Sequence, residues 1–345
     1  MKLQRRKNEN TIRGEYFMNF RDEIKKRILI GEGAMGTLLY STGVDQCHEE
    51  LNISNPKLVK SIHRAYVHAG AEIIQSNTYG ANHYKLKRYG LEDAVSSINR
   101  EGVRIAKSVA TENCFVFGTI GATRNLRTTD ITLEEIKRNF REQLLSLLVE
   151  NPDGILLETY YDFEELTEVL KIARQETSLP IIANVSLHEV GYLQNGMHLS
   201  EALSILEQLG ADVVGVNCRL GPHHTIRSLE QVPLPTKAVL SAYPNASLPE
   251  YVDGQLQYED NPEYFGKSAV ALRNQGVRII GGCCGTTPKH IEEACKALHG
   301  LEPVFDQKVA ARKIEINQTF EDVKQIPLFK QVAKKRTILV ELDRL

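Results

Sequence analysis

Two adjacent cysteines flanked by glycines have the clearest capacity for chemistry in this sequence. Cys283 and Cys284 lie in the segment Gly-Gly-Cys-Cys-Gly-Thr at 281–286, directly after a largely apolar run. Neighbouring side chains on a regular strand point to opposite faces, so both sulfurs reach one point only if the backbone bends, which glycine permits. Cys218 ends another apolar run. Three thiols at strand ends can hold one zinc ion and leave its fourth position open, as in catalytic zinc sites.

Two other interpretations of these cysteines stay open from the residues alone. Free cysteines are often small, inert core residues, and Cys283 and Cys284 could form a disulfide with each other. A disulfide requires an oxidising compartment. Nothing else indicates one, because Cys47, Cys114 and Cys295 lack disulfide-like spacing. We therefore expect a reduced, cytoplasmic enzyme.

Length and charge limit the classes of partner. The 345 residues can bury a large core, and charged residues make up 25% of the chain with a formal net charge of −2. This balance argues against a surface for nucleic acid. No apolar run approaches the roughly 20 residues that a membrane helix needs. We expect neither nucleic acid nor a membrane as a partner.

An alternating pattern of apolar runs and helical segments must position the cysteines. Apolar residues at intervals of three and four predict a helix over 56–68, and Thr132 with Glu135 forms a capping-box pattern at the start of another. The runs are continuous, as in parallel strands buried on both faces. Eight strand-then-helix units predict an α/β fold, a (β/α)8 TIM barrel, with its chemistry at the C-terminal strand ends. The predicted strands are 28–30, 71–75, 115–118, 154–157, 180–185, 213–216, 237–240 and 277–280.

The start of the chain falls outside this pattern. Residues 1–17 are polar and aperiodic and lack the apolar core of a secretory signal, so we predict a disordered leader. Residues 13–17 can be encoded by a purine-rich ribosome-binding sequence placed before Met18. We hypothesise that the leader is not translated and that the barrel occupies 18–301.

The end of the chain also departs from the pattern. Residues 302–336 are mixed and charged, and predict a C-terminal linker. The apolar run at 337–342 then reads as a new, truncated extra strand. An unpaired strand leaves open backbone groups that invite aggregation. We therefore predict that 337–345 begin a truncated second domain.

Several motifs together resemble the homocysteine S-methyltransferase family over roughly 24–300. The most specific are Gly-Val-Asn-Cys at 215–218 and Gly-Gly-Cys-Cys-Gly at 281–285. The supporting motifs are Gly-Ala-Met-Gly-Thr at 33–37, Gln-Ser-Asn-Thr at 75–78, Leu-Glu-Thr at 157–159 and Tyr-Pro-Asn at 243–245. Within the family the sequence is most similar to bacterial proteins that fuse this barrel to a methylenetetrahydrofolate reductase. The resemblance implies that a full-length form also carries that reductase-like domain and its activity.

The resemblance implies zinc-dependent transfer of a methyl group from an activated donor to the thiol of L-homocysteine, which forms L-methionine. It implies Cys218, Cys283 and Cys284 as the zinc ligands, with the homocysteine sulfur in the fourth position. A free thiol has a pKa near 8.5, and coordination to zinc deprotonates it. No separate protein nucleophile is then needed. The donor stays open among S-methylmethionine, S-adenosylmethionine and methyltetrahydrofolate.

The resemblance also implies residues that bind the amino-acid part of the substrate. Glu32 stands where the family usually has aspartate, a carboxylate that helps to hold the amine, and Glu158 is the second such carboxylate. Backbone N–H groups at 33–36 are candidates for the substrate carboxylate. The predicted substrate-binding residues are Glu32, Gly33, Ala34, Ser76, Glu158 and Asn217.

The histidines predict no metal site. His63 and His68 fall on an outer helix, and His223 and His224 fall in the loop after Cys218. We interpret these four as solvated. His188, after the fifth strand, falls near the barrel mouth without an assignable role.

Two other functions compete with methyl transfer. The barrel could be a zinc-bound regulatory or interaction module of a larger folate or methionine enzyme, with weak or no transfer of its own; Glu32 in place of aspartate is the feature that favours this. A redox enzyme acting through Cys283 and Cys284 is the third interpretation, and its activity would survive chelation.

Overall fold

Eight parallel strands form one sheet in the computed structural model, which describes residues 18–43, 47–124, 131–252 and 255–306. The strands of this sheet are β1 Leu29–Ile30, β2 Ile73–Gln75, β3 Phe115–Gly121, β4 Gly154–Tyr160, β5 Ile181–Val185, β6 Val213–Asn217, β7 Val239–Tyr243 and β10 Val277–Ile280. A separate antiparallel hairpin joins β8 Glu250–Val252 to β9 Gln255–Gln257. The order in the sheet is β1-β10-β7-β6-β5-β4-β3-β2.

The sheet closes where β1 meets β2. Gly31 forms a parallel bridge with Ile73. The Glu32 N–H donates to the Ile73 carbonyl at 2.9 Å, and the Glu72 N–H donates to the Ile30 carbonyl at 2.7 Å. These bonds join the first two strands of the chain and complete a (β/α)8 barrel, so the predicted fold class is confirmed.

Helices pack around the barrel and also shape its loops. Those described are α1 Phe20–Lys26, α2 Gly36–Ser41, α3 Leu51–Ser54, α4 Pro56–His68, α5 His83–Leu86, α6 Val95–Lys107, α7 Leu133–Leu148, α8 Phe163–Glu176, α9 Leu199–Gln208, α10 Pro222–Leu229, α11 Pro262–Asn274 and α12 Pro288–Leu298. Two 3-10 turns lie at 87–89 and 92–94. Both halves of the capping box predicted at Thr132 are present, and they start α7. The short helices α2, α3 and α5 were not predicted, and they lie in loops that follow β1 and β2.

The helix α1 covers one end of the barrel. The ring of Phe20 packs against Phe115 and Phe117, with centroids 5.3 and 4.8 Å away, in the apolar cluster inside the barrel. Arg278 donates from Nη1 to the carbonyl of Ile24 at 2.9 Å. Phe115 and Arg278 lie at the starts of their strands, so α1 closes the N-terminal end. The C-terminal strand ends form the opposite face.

The ends of the chain lie mostly outside the described residues. This applies to the predicted leader at 1–17, to the predicted start of a second domain at 337–345 and to all of the predicted linker after 306. The domain boundaries therefore stay predictions. Among the described residues, no helix has the length and apolar character needed to cross a membrane.

Candidate active site

A cavity of about 350 Å³ lies at the C-terminal strand ends. Eight of the nine predicted site residues line it; the exception is Asn217, directly before the cysteine that follows β6. The loops after β1, β2, β4, β6 and β10 supply the lining. A second recess of about 400 Å³, between α10 and the loop that carries the hairpin, contains none of the predicted residues. The first cavity is therefore the candidate site.

Three thiols converge in this cavity. The Sγ atoms of Cys218, Cys283 and Cys284 all lie within 4.8 Å of one another, and those of Cys218 and Cys284 are 3.6 Å apart. Sulfurs that share a tetrahedral zinc ion at about 2.3 Å each lie about 3.8 Å from one another. The spacing and the donor type fit zinc. In the described part of the chain, this is the one group of three or more Cys, His, Asp or Glu side chains placed to hold a metal.

The backbone around the thiols is bent as their sequence predicted. Cys218 and Arg219 both have left-handed φ values, 62° and 65°, and Gly285 has a φ of 79°. The N–H of Cys283 donates to the Pro244 carbonyl at 2.8 Å. A Cβ at Gly285 would lie 2.3 Å from Cγ of Tyr258. These turns bring the sulfurs of β6 and β10 together across the intervening β7.

The thiols share their charge unevenly. Hydrogen bonds from Cys218 and Cys283 hold the pKa of the Cys284 thiol well below its usual value. Hydrogen bonds with Cys218 and Cys284, together with burial, raise the pKa of the Cys283 thiol well above its usual value. Each of the three is a free, half-buried thiol, so the structure contains no Cys283–Cys284 disulfide. Their place in a cavity wall also differs from that of inert core cysteines.

Glu32 lies at the base of the cavity and is 1% exposed. Its Oε1 accepts from the Gln75 N–H at 2.8 Å, and its Oε2 lies 3.2 Å from Nδ1 of His63. His63 is fully buried, and its Nε2 has no hydrogen-bond partner in the described structure. The expectation that His63 is solvated is wrong, because α4 turns it inward on the same face as Ile62 and Tyr66. His68 is exposed, as expected.

Glu158 and Asn217 form one hydrogen-bonded unit. Nδ2 of Asn217 donates to Thr159 Oγ1 at 2.7 Å and to Glu158 Oε2 at 3.2 Å, while Thr159 N–H donates to Oδ1 of Asn217 at 2.8 Å. Burial, aided by the charges of Cys284 and Glu32, raises the pKa of Glu158 to about 8. Asn217 thus holds the carboxylate of Glu158 in place from behind the cavity wall.

The remaining predicted residues differ in what they can offer a ligand. The Ala34 N–H donates to Thr286 Oγ1 at 3.1 Å and is already engaged. Ser76 Oγ lies 2.6 Å from Thr78 Oγ1 and accepts from the Thr119 N–H at 3.0 Å. Of the four backbone N–H groups at 33–36 predicted to bind a carboxylate, that of Ala34 is engaged, whereas those of Gly33, Met35 and Gly36 have no hydrogen-bond partner within the described ranges.

Sequence reasoning missed several residues of the cavity wall. Glu49 lines it and accepts from the Gly80 N–H at 2.6 Å. Tyr79 and Tyr161 also line it. The sequence did offer a signal for the two tyrosines, namely their position next to predicted motifs. Tyr79 directly follows the 75–78 motif, and Tyr161 lies two residues after Thr159.

A family model described as homocysteine S-methyltransferase matches residues 29–298. The chain is 30% identical over 308 residues to a methionine synthase of Mycobacterium tuberculosis, covering 83% of this chain and 26% of that protein. It is 29% identical over 305 residues to the methionine synthase of Mycobacterium leprae, covering 82% and 25%. The chain therefore spans about a quarter of the length of these curated relatives. Among solved structures, the metallated homocysteine methyltransferase MmuM of Escherichia coli has a TM-score of 0.63 at 21% identity, covering 78% of this chain and 96% of that one. At this identity, the match supports the (β/α)8 fold and nothing further.

Proposed function

The chain belongs to the homocysteine S-methyltransferase family, and from this premise we propose that it transfers a methyl group from an activated donor to the thiol of L-homocysteine, forming L-methionine. The observation that carries the proposal is the convergence of three thiols, the buried carboxylate of Glu32 and the half-buried carboxylate of Glu158 in one cavity. Thiols suit a soft metal and a sulfur substrate. Carboxylates suit the ammonium group of an amino acid.

We infer that Cys218, Cys283 and Cys284 hold zinc, to which their donor type and spacing are suited. When bound, zinc would keep a substrate thiol deprotonated at neutral pH. The homocysteine sulfur then bonds to the methyl carbon while the bond from that carbon to the donor atom breaks. The bonding electron pair leaves with the demethylated donor, which is a neutral thioether if the donor is a sulfonium; the nitrogen of methyltetrahydrofolate would also take up a proton from solvent. The reaction needs no protein nucleophile.

The protein's own contribution is the placement of the substrate. Glu32 and Glu158 would bind the ammonium group, and His63 and Asn217 fix these two carboxylates by hydrogen bonds. The Gly33 N–H is free to bind a carboxylate oxygen. Holding a nucleophile in line with its target removes much of the entropic part of the barrier.

The proposal extends to the methyl donor, the domain boundaries and the compartment. The donor stays open among S-methylmethionine, S-adenosylmethionine and methyltetrahydrofolate. We place the barrel at 18–301, a linker at 302–336 and the start of a reductase-like domain at 337–345. The free thiols fit a reducing compartment such as the cytoplasm. A regulatory module without turnover is the second candidate, and the feature in its favour is Glu32 in place of aspartate.

The test combines metal content with a panel of donors. The protein should hold about one zinc ion per chain and form methionine from at least one of the three donors. Cys284→Ala should lose both properties, while Cys295→Ala, which alters a half-buried cysteine that does not line the cavity, should retain them. Full zinc content and turnover in Cys284→Ala would contradict the zinc assignment. Zinc and homocysteine binding without turnover from any donor would favour the regulatory module.

A further inference from the structure

The cavity wall has an unbalanced set of charges. Glu32, Glu49 and Glu158 line it, and no lysine or arginine does so among the described residues. The ammonium group of an amino acid suits such a wall. The carboxylate of the same amino acid does not, because like charges repel at short range. A cation at the edge of the cavity would offset this repulsion and act together with the free Gly33 N–H.

Arg219 lies at this edge. It directly follows Cys218, and the left-handed backbone of both residues turns the chain beside the thiols. The guanidinium carbon of Arg219 lies 5.9 Å from the ring centroid of Tyr161, a residue of the cavity wall. Guanidinium groups stack well on aromatic faces and present a planar fork that matches a carboxylate. The ring of Tyr161 thus places the guanidinium of Arg219 beside the cavity wall, although Arg219 itself does not line the cavity.

Among the described residues, the charge of Arg219 has no carboxylate partner, although Arg219 is half-buried. Its Nη1 is fully enclosed and makes no hydrogen bond there. Guanidinium nitrogens that lack a partner at a half-buried position are costly. A bound carboxylate would neutralise this group.

Lys85 is the other cation near the cavity, and its surroundings differ. Its Nζ lies 4.2 Å from the ring centroid of Tyr79. Burial lowers the pKa of Lys85 to about 8, and the charges of Glu49, Glu165 and Glu158 act against that shift. Lys85 is therefore already surrounded by acidic groups. Of these two described cations, Arg219 is the one without a carboxylate partner among the described residues.

We propose that Arg219 is a carboxylate-binding residue of this cavity, which recognises the α-carboxylate of an amino-acid ligand. The inference rests on the proposed function, since that function supplies such ligands. The carboxylate belongs either to homocysteine or to an amino-acid methyl donor. Both present the same chemistry to the guanidinium.

The test removes the guanidinium and the carboxylate separately. Binding to the zinc-loaded full chain is measured by calorimetry for L-homocysteine and for 3-aminopropane-1-thiol, its analogue without the carboxylate. The same is done for S-methylmethionine and (3-aminopropyl)dimethylsulfonium. Arg219→Gln should weaken one carboxylate-bearing ligand by about 10- to 100-fold, the range for hydrogen bonds to charged groups. It should leave the matching analogue unchanged, and Arg219→Lys should recover part of the loss.

If Arg219→Gln weakens homocysteine but not 3-aminopropane-1-thiol, the carboxylate is that of homocysteine. If it weakens S-methylmethionine but not its analogue, the carboxylate is that of the donor. Arg227→Gln is the matched control, because Arg227 lies on the nearby α10 and pairs at the surface with Glu230; it should bind all four ligands normally. Equal losses for a ligand and its analogue would show that Arg219 acts only through the structure and would overturn the proposal. Unchanged affinities for all four ligands would also overturn it. The binding measurements need no turnover. If the protein transfers no methyl group, the proposed function is refuted, but the four affinities still show whether Arg219 binds a carboxylate.

Discussion

Replacing Glu158 with glutamine should stabilise the substrate-free protein while it weakens homocysteine binding. Burial, together with the charges of Cys284 and Glu32, raises the pKa of Glu158 from 4.5 to about 8. Between these values the unfolded chain has lost its proton and the folded chain retains it. Stability therefore falls as the pH rises through this window. Below about pH 4.5 both states are protonated, and Glu158 has no effect.

The size of the effect follows from the shift. At 1.36 kcal/mol per pKa unit, the full cost above pH 8 is about 5 kcal/mol for the shift from 4.5 to about 8. At pH 7 it is about 3 kcal/mol. Both values are upper limits for the zinc-loaded protein, because zinc neutralises part of the Cys284 charge. Glutamine removes this cost, and its amide oxygen can still accept from Nδ2 of Asn217.

The assay is urea unfolding of wild type and Glu158→Gln between pH 5 and 9 without homocysteine. The variant should gain stability over wild type as the pH rises, and it should bind homocysteine less tightly by roughly 1.5–3 kcal/mol. Glu263→Gln is the control, since Glu263 is an exposed partner of Lys267; its unfolding curve should run parallel to that of wild type. Parallel curves for Glu158→Gln would refute the reasoning, as would unchanged homocysteine affinity.

Three further predictions concern the neighbours of this site and the end of the chain. Glu32→Gln should weaken homocysteine binding, measured by calorimetry, by roughly 1.5–3 kcal/mol, whereas Glu32→Asp should retain most of it; equal affinities for wild type and the glutamine variant would move the amine contact elsewhere. His63→Ala should also weaken homocysteine binding, because it leaves Oε2 of Glu32 unpaired, and His63→Gln should recover part of the loss; identical affinities for the two variants would exclude a positioning role. Removing 307–345 should leave the urea midpoint and the zinc content unchanged, and a lower midpoint would make that segment part of the barrel.

The barrel could be predicted from the sequence because its signals are local. Continuous apolar runs identify buried parallel strands, and the helix predicted at 56–68 has those bounds in the structure. The count of eight units predicts a closed barrel, but the contacts that close it at β1 could not be predicted. That strand has two residues, and its pairing with β2 depends on the bridge from Gly31 to Ile73. A two-residue strand carries too little pattern to show which backbone groups will pair.

The thiol cluster could be predicted, but the support around the carboxylates could not. Glycines beside Cys283 and Cys284 signal a backbone bend within six residues. The contact of His63 with Glu32 joins an outer helix to a strand end, and the contact of Asn217 with Glu158 joins β6 to β4 across β5. These partners depend on the tilt of strands and helices, which one sequence does not encode locally.

The position of α1 restricts the route by which ligands reach and leave the candidate site. Because Phe20 seals the N-terminal end against Phe115 and Phe117, ligands must enter and leave the candidate site from the opposite end. Under the proposed function, homocysteine, the methyl donor, methionine and the spent donor then share a single passage. Methionine should compete with homocysteine for the free enzyme. Because the methyl group passes directly from the donor to homocysteine, steady-state kinetics should be sequential rather than ping-pong, and the release of products through the shared opening can limit turnover.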